Sequence, residues 1–156
     1  MPQKILLALD DSQNAHRAVA FVARTFSPQN KITLFNVMLD TAALCRMDSP
    51  ELTPLFKSQQ SSFCALEDKK RELVSQAMQK ARQTLMSAGF SEDNIQIKVE
   101  NKKQSVAQDI VAESRQGYDL IVLGRHGVSG VKEFFLGSTS QKVFNAAKEI
   151  SVLIAS

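Results

Sequence analysis

The sequence predicts a doubly wound α/β fold: one five-stranded parallel sheet with helices on both faces. Two observations carry that expectation. Short apolar runs alternate with stretches whose apolar residues recur at helical spacing, in the order β-α-β-α-β-α-β-α-β. The first run, Ile5-Leu6-Leu7-Ala8-Leu9, is continuously apolar, as a strand buried on both faces should be. A chain of 156 residues suits one domain of this kind, so residues 1–156 are read as a single unit.

The elements follow in order. In residues 12–27, Ala15, Ala18, Val19, Val22 and Phe26 mark a helix, and Ile32–Met38 (ITLFNVM) is a second strand. Residues 39–60 hold two prolines among mixed polarity and read as an irregular loop with at most a helical turn. From about 62 to 88 comes the longest helix, with Leu66, Leu73, Ala77, Ala81, Leu85 and Ala88 on one face and Gly89 at its end. Ile95, Ile97 and Val99 alternate with Gln96 and Lys98, the pattern of a strand with one solvated side at a sheet edge. Gln104–Gln116 is expected as a helix with Val106, Ile110 and Val111 inward. Leu120–Leu123 is a strand, Ser138–Lys148 a helix and Ser151–Ala155 the last strand.

Composition excludes several classes. Hydrophobic residues make up 44% and charged residues 22%, and the net charge is only +3. The basic residues are dispersed, with no Trp and one Tyr, so a nucleic-acid surface of basic and aromatic side chains is not expected. The opening MPQKILLALDD is too short for a signal-peptide core, and no run nears the roughly 18 apolar residues of a membrane helix. Cys45 and Cys64 have no CxxC spacing and no histidine beside them. They are expected as two reduced thiols in a cytoplasmic protein. With His16 and His126 the only histidines, a zinc site is not expected.

The informative stretch is LGRHGVSGVKEFFLGSTSQ, residues 123–141, where four of the six glycines fall between Gly124 and Gly137. Glycine allows positive φ or a close approach that a Cβ would block. Gly124 and Gly127 are placed to turn backbone N–H groups toward an anion. Gly137 precedes Ser138 and Thr139, good caps for a helix whose free N–H groups and dipole suit phosphate. Asp10 and Gly124 both sit at carboxyl ends of strands, and in doubly wound sheets ligands bind there, where the winding direction reverses.

The spacing Gly124-x2-Gly127-x9-Gly137-Ser138 resembles the nucleotide-binding signature of the universal stress protein family. KILLALDDS, ITLFNVM, GYDLIVLGRHG and ISVLIAS extend the resemblance over almost the whole chain. It implies a Rossmann-like sheet, of the adenine nucleotide alpha hydrolase-like type, ordered 3-2-1-4-5. It further implies ATP as ligand, with AMP or ADP as alternative resident nucleotides, and a homodimer through the C-terminal strand. By position, Asp10 resembles the acid near ribose and phosphates that helps hold Mg2+ or Mn2+, with Ala8 beside it. Val37 resembles the residue whose backbone recognises adenine. Leu123, Gly124, His126 and Gly127 would line the ribose and phosphate path, and Gly137, Ser138 and Thr139 would hold phosphate.

Other readings of these residues stay open. Asp10 can cap the first helix, Val37 can be ordinary core, His126 can be a solvated loop residue, and Arg125 can pair with phosphate or point to water. Two departures from the family pattern stand out: Asp10-Asp11-Ser12 where Asp-Gly-Ser is common, and Ser151 in place of a proline. A phosphoacceptor domain would need an aspartate ending a central strand, where Asn36-Val37 and Leu123-Gly124 stand. A flavin site would need glycine in DDSQNA, and no GxxxxGK[ST] loop occurs. The expectation is a nucleotide-dependent switch with an unidentified protein partner, slow or no ATP turnover and no assigned catalytic residue. An ATP-hydrolysing or nucleotidyl-transfer enzyme on the same scaffold is the alternative.

Overall fold

The structure is a computed structural model that describes residues 1–10, 13–48, 50–125 and 136–156. Five strands, β1 (Lys4–Ala8), β2 (Lys31–Met38), β3 (Ile95–Asn101), β4 (Leu120–Gly124) and β5 (Ser151–Ala155), form one sheet in the order β3-β2-β1-β4-β5. Every neighbouring pair is parallel, and Ile95, Ile32, Ile5, Leu120 and Ser151 lie in one row across it. The five-stranded fold and its 3-2-1-4-5 order are therefore as expected. β3, with its alternating exposure, is an edge.

Strand alternation sends successive side chains to opposite faces, and each face is closed by its own helices. Ile5, Leu7, Leu9, Ile32 and Leu34 pack against α1 (Gln13–Thr25) and α3 (Pro54–Ser87) through Ala18, Val19, Val22, Met78, Ala81 and Leu85. Leu6, Phe35, Ile121 and Leu123 pack against α4 (Val106–Ser114) and α5 (Ser138–Ala146) through Ala107, Ile110, Val111 and Val143. Chain order thus winds outward from β1 in both directions and leaves a crevice at the carboxyl ends of β1 and β4.

Three expectations need correction. α3 starts at Pro54, where Thr53 caps it by accepting from the Phe56 N–H at 3.1 Å, so much of the expected loop is helix. α2 (Ala42–Cys45) is the single turn left in that stretch. Leu66 and Leu73 do not face inward: they are 70% and 40% exposed. The inner stripe of α3 runs instead through Phe56, Gln60, Phe63, Glu67 and Arg71 to the buried Val74, Met78, Ala81 and Leu85. Its amino half covers α2 rather than the sheet, which is why apolar spacing alone misassigns its register. Val106, in the first turn of α4 rather than its core, is 37% exposed.

The third correction concerns the cysteines. Cys45 of α2 and Cys64 of α3 are joined in a disulfide with their Cα atoms 5.9 Å apart, not two separate thiols. The early start of α3 folds it back along α2 and brings them together. Gly89 behaves as expected after α3, with φ +103, a backbone region that favours glycine.

Away from the crevice, Glu113 of α4 is buried yet doubly bonded: it accepts from Lys98 Nζ and from Tyr118 Oη, both at 2.8 Å. The bond to Glu113 holds the Lys98 pKa above its ordinary value. Burial, with the Glu113 carboxylate beside it, pushes Tyr118 up as well.

Candidate functional site

A cavity of about 340 Å³ opens where β1, β2 and β4 end, a volume in the range that holds small-molecule ligands. Its floor is Ala8, Leu9 and Asp10 from the end of β1, with Leu123 and Gly124 from β4. Phe35 through Met38 form one wall, and the first turn of α5, Gly137 through Ser140, forms another. Expected residues Ala8, Asp10, Val37, Leu123, Gly124, Gly137, Ser138 and Thr139 are thus brought together around one space.

The β2 wall offers polar backbone. In a parallel ladder, a residue's N–H and C=O point to one neighbouring strand and the next residue's to the other. Phe35 faces β1, since its carbonyl accepts from Leu9 N–H at 2.8 Å, and Met38 faces β3, since its carbonyl accepts from Lys102 N–H at 2.6 Å. Val37 therefore directs its peptide groups to the β1 side. The β1 ladder stops at Ala8 opposite Phe35, so those groups face the crevice. Between them Asn36, buried, donates from Nδ2 to the Leu9 carbonyl at 2.6 Å and holds the β1 exit against β2.

The α5 wall offers a helix start. Gly137, at the N-cap, has no side chain with which to cap the helix, and Gly137 through Ser140 bring the first turn of α5, with its N–H groups, to the cavity wall. Ser138 is exposed and Thr139 half-buried. Ser140 is spent on structure, its Oγ donating to the Gly124 carbonyl at 2.7 Å. Gly137 N–H donates to the Arg125 carbonyl at 2.8 Å, and Arg125 N–H to the Ala155 carbonyl at 3.0 Å.

Gly124 is favoured by proximity rather than by φ. A Cβ there would stand 3.2 Å from the backbone oxygen of Asn14 at the start of α1. α1 and β4 approach this closely because both border the crevice. Arg125 is not brought into the cavity: its side chain is exposed, and its backbone bridges β5 and α5. His126 and Gly127 lie outside the described residues.

Sequence reasoning missed the roof. Lys70 and Val74 of α3, and Val106 and Ile110 of α4, also line the cavity. Lys70 lies one turn before the buried Val74, on a register that the expected Leu66–Leu73 face did not point to. Among the described residues, Asp10 and Lys70 give the space one acidic and one basic side chain.

Among the described residues no group of three or more His, Cys, Asp or Glu could hold a metal ion. A divalent ion at Asp10 would need a ligand's phosphate oxygens to complete its shell, the usual arrangement for Mg2+. Among the described residues no helix is long and apolar enough to cross a membrane.

A search of curated proteins gave no match. Among solved structures, a universal stress protein, UspA, from Lactobacillus plantarum is 24% identical, with 99% of this chain and 97% of that one covered and a TM-score of 0.68. A universal stress protein from Archaeoglobus fulgidus is 13% identical over 100% and 99%, with a TM-score of 0.66. A universal stress protein solved in complex with cAMP is 17% identical over 99% and 96%, with a TM-score of 0.62. At these identities the likeness is one of fold. The family model for the universal stress protein family matches residues 1–155, and the chain belongs to that family.

Proposed function

We propose that this chain binds an adenine nucleotide, ATP with Mg2+ or Mn2+, in the crevice between β1 and β4 and acts as a nucleotide-loaded switch. The observation that carries the reading is the convergence of three unlike groups on one cavity: the Val37 backbone, the Asp10 carboxylate and the first turn of α5. A strand-end N–H and C=O match the acceptor and amino donor of the adenine edge. The α5 amides, with the hydroxyls of Ser138 and Thr139, suit phosphate. Asp10, at the β1 exit, suits the metal that accompanies those phosphates. The family relative solved with cAMP supports an adenine ligand on this fold. AMP and ADP present the same base and remain alternative resident ligands.

In this proposal residues 1–156 work as one unit, in the cytoplasm, as a homodimer through β5, and a partner protein reads the loaded state. Slow or absent turnover fits what the cavity offers. Fast phosphoryl transfer needs a group that orients water and a cation on the transferred phosphoryl. Among the described residues that line the cavity, Lys70 supplies a cation, but the one carboxylate, Asp10, is assigned here to the metal, which leaves no second acid to orient water. An ATP-hydrolysing or nucleotidyl-transfer enzyme is the alternative. Equilibrium dialysis with ATP and Mg2+, followed by product analysis, decides between them. Retained, intact ATP is expected, whereas turnover in the usual enzyme range of about 1–10³ s⁻¹ that is lost in Asp10→Ala would favour the enzyme.

A further inference from the structure

The disulfide lies in the arm that roofs the cavity. Every buried residue of α3 falls at or after Val74, so the helix from Pro54 to Leu73 is an arm reaching past the core. Its inner side meets α2 and the end of β2 instead of the sheet. The Gln60 side-chain amide donates to the carbonyls of Leu44 and Met47, and Arg71 Nη2 donates to the Leu39 carbonyl at 2.8 Å. The Cys45–Cys64 bond is the covalent fastening of the same contact.

The same contact carries one unsatisfied group. Glu67, one turn beyond Cys64, has a buried Oε2 with no hydrogen-bond partner among the described residues. A buried carboxylate oxygen without a partner opposes docking. Lys70, one turn beyond Glu67, and Val74, the first buried residue of α3, line the cavity. The fastening, the unfavourable contact and the cavity roof thus follow one another within three turns of one helix.

We propose that Cys45–Cys64 is a thiol-switched tie that holds the amino half of α3 over the nucleotide cavity, so that reduction lowers nucleotide affinity. This rests on the nucleotide reading above. The reaction is thiol–disulfide exchange with a dithiol. One thiolate of the dithiol attacks a sulfur of the pair and displaces the other cysteine as thiolate. The second thiol then closes the dithiol's own disulfide and releases the first cysteine. Two electrons and two protons pass to the pair, leaving two cysteine thiols. Both cysteines are half-buried rather than enclosed, which leaves the bond open to attack. In a reducing compartment such bonds are typically transient and sensing rather than permanent.

The test compares full-length oxidised protein, protein reduced with dithiothreitol, and Cys45→Ser/Cys64→Ser without reductant. Hydrogen exchange is followed by peptide in residues 54–73 and 74–87, and ATP·Mg2+ affinity by calorimetry, with alkylation and mass measurement confirming the thiol state. The expected result is faster exchange in 54–73 with 74–87 unchanged, and ATP binding weakened by about threefold or more, as the docked fraction falls. The serine pair should match the reduced protein. Unchanged exchange in 54–73 after complete reduction, or equal ATP affinity in both states, would overturn the tie. Failure to bind ATP in either state would instead overturn the nucleotide reading, and this proposal with it.

Discussion

The Ser140 hydroxyl donates to the carbonyl of Gly124 at 2.7 Å, fastening the first turn of α5 to the carboxyl end of β4. The phosphate wall of the proposed site is thereby fixed to its floor by one side chain. Ser140→Ala would leave the Gly124 carbonyl without that donor, at a cost of about 1–3 kcal/mol if no water replaces it. The expected outcome is a lower urea midpoint together with weaker ATP binding. A variant with parental stability and parental affinity would show that this bond positions nothing.

Gly124 itself is the more severe site. A side chain there would press on the Asn14 carbonyl, only 3.2 Å from the position of a Cβ, and the start of α1 would have to give by a few tenths of an ångström. Gly124→Val is expected to cost about 1–3 kcal/mol as an overpacking change and to abolish nucleotide binding. Circular dichroism melts and calorimetry on the same sample check both. Unchanged binding would mean that the α1–β4 approach does not shape the site.

These two residues show what was legible in the sequence. The strands, their winding and the glycine–hydroxyl cluster at Gly137-Ser138-Thr139 could be read because apolar runs and helix starts are local signals. The roof could not. Whether Leu66 or Val74 faces inward depends on what the amino half of α3 lies against, and that neighbour, α2, is a four-residue turn with little sequence signature. The same missing neighbour concealed Lys70 in the site and the pairing of Cys45 with Cys64, since a disulfide requires a spatial approach that spacing does not encode. At Gly124 the residue type was legible but not its cause, because the close approach to Asn14 is a tertiary contact.

The Glu113 cluster predicts an alkaline limit to stability. Lys98 and Tyr118 both hold their protons more tightly when folded. Their contribution is therefore complete below their ordinary values, about 10 for each, and is lost as pH rises through the raised folded values. Urea midpoints should fall as pH rises above about 10, and less steeply in Glu113→Gln, which removes the carboxylate that both groups bond. An equal fall in the two proteins would remove the cluster from the account.

β5 is the proposed dimer edge, and its geometry gives a clean test. Ala155 faces β4, since its carbonyl accepts from Arg125 N–H, so the alternate residues Val152 and Ile154 direct their peptide groups to the open edge. Ile154→Pro removes an edge donor while sparing the β4 ladder. Light scattering at micromolar concentration should give a dimer mass for the parent and a monomer mass for the variant. A monomeric parent would sink the proposal.

The central claim is that Val37, Asp10 and the α5 start together bind an adenine nucleotide. Calorimetric titration of the oxidised protein with ATP and Mg2+ tests it most directly. The account predicts saturable binding of one nucleotide per chain, with a stoichiometry unchanged by salt and an affinity strongly reduced in Asp10→Ala. An absence of saturable binding up to millimolar ATP, in protein shown to be folded, would contradict it.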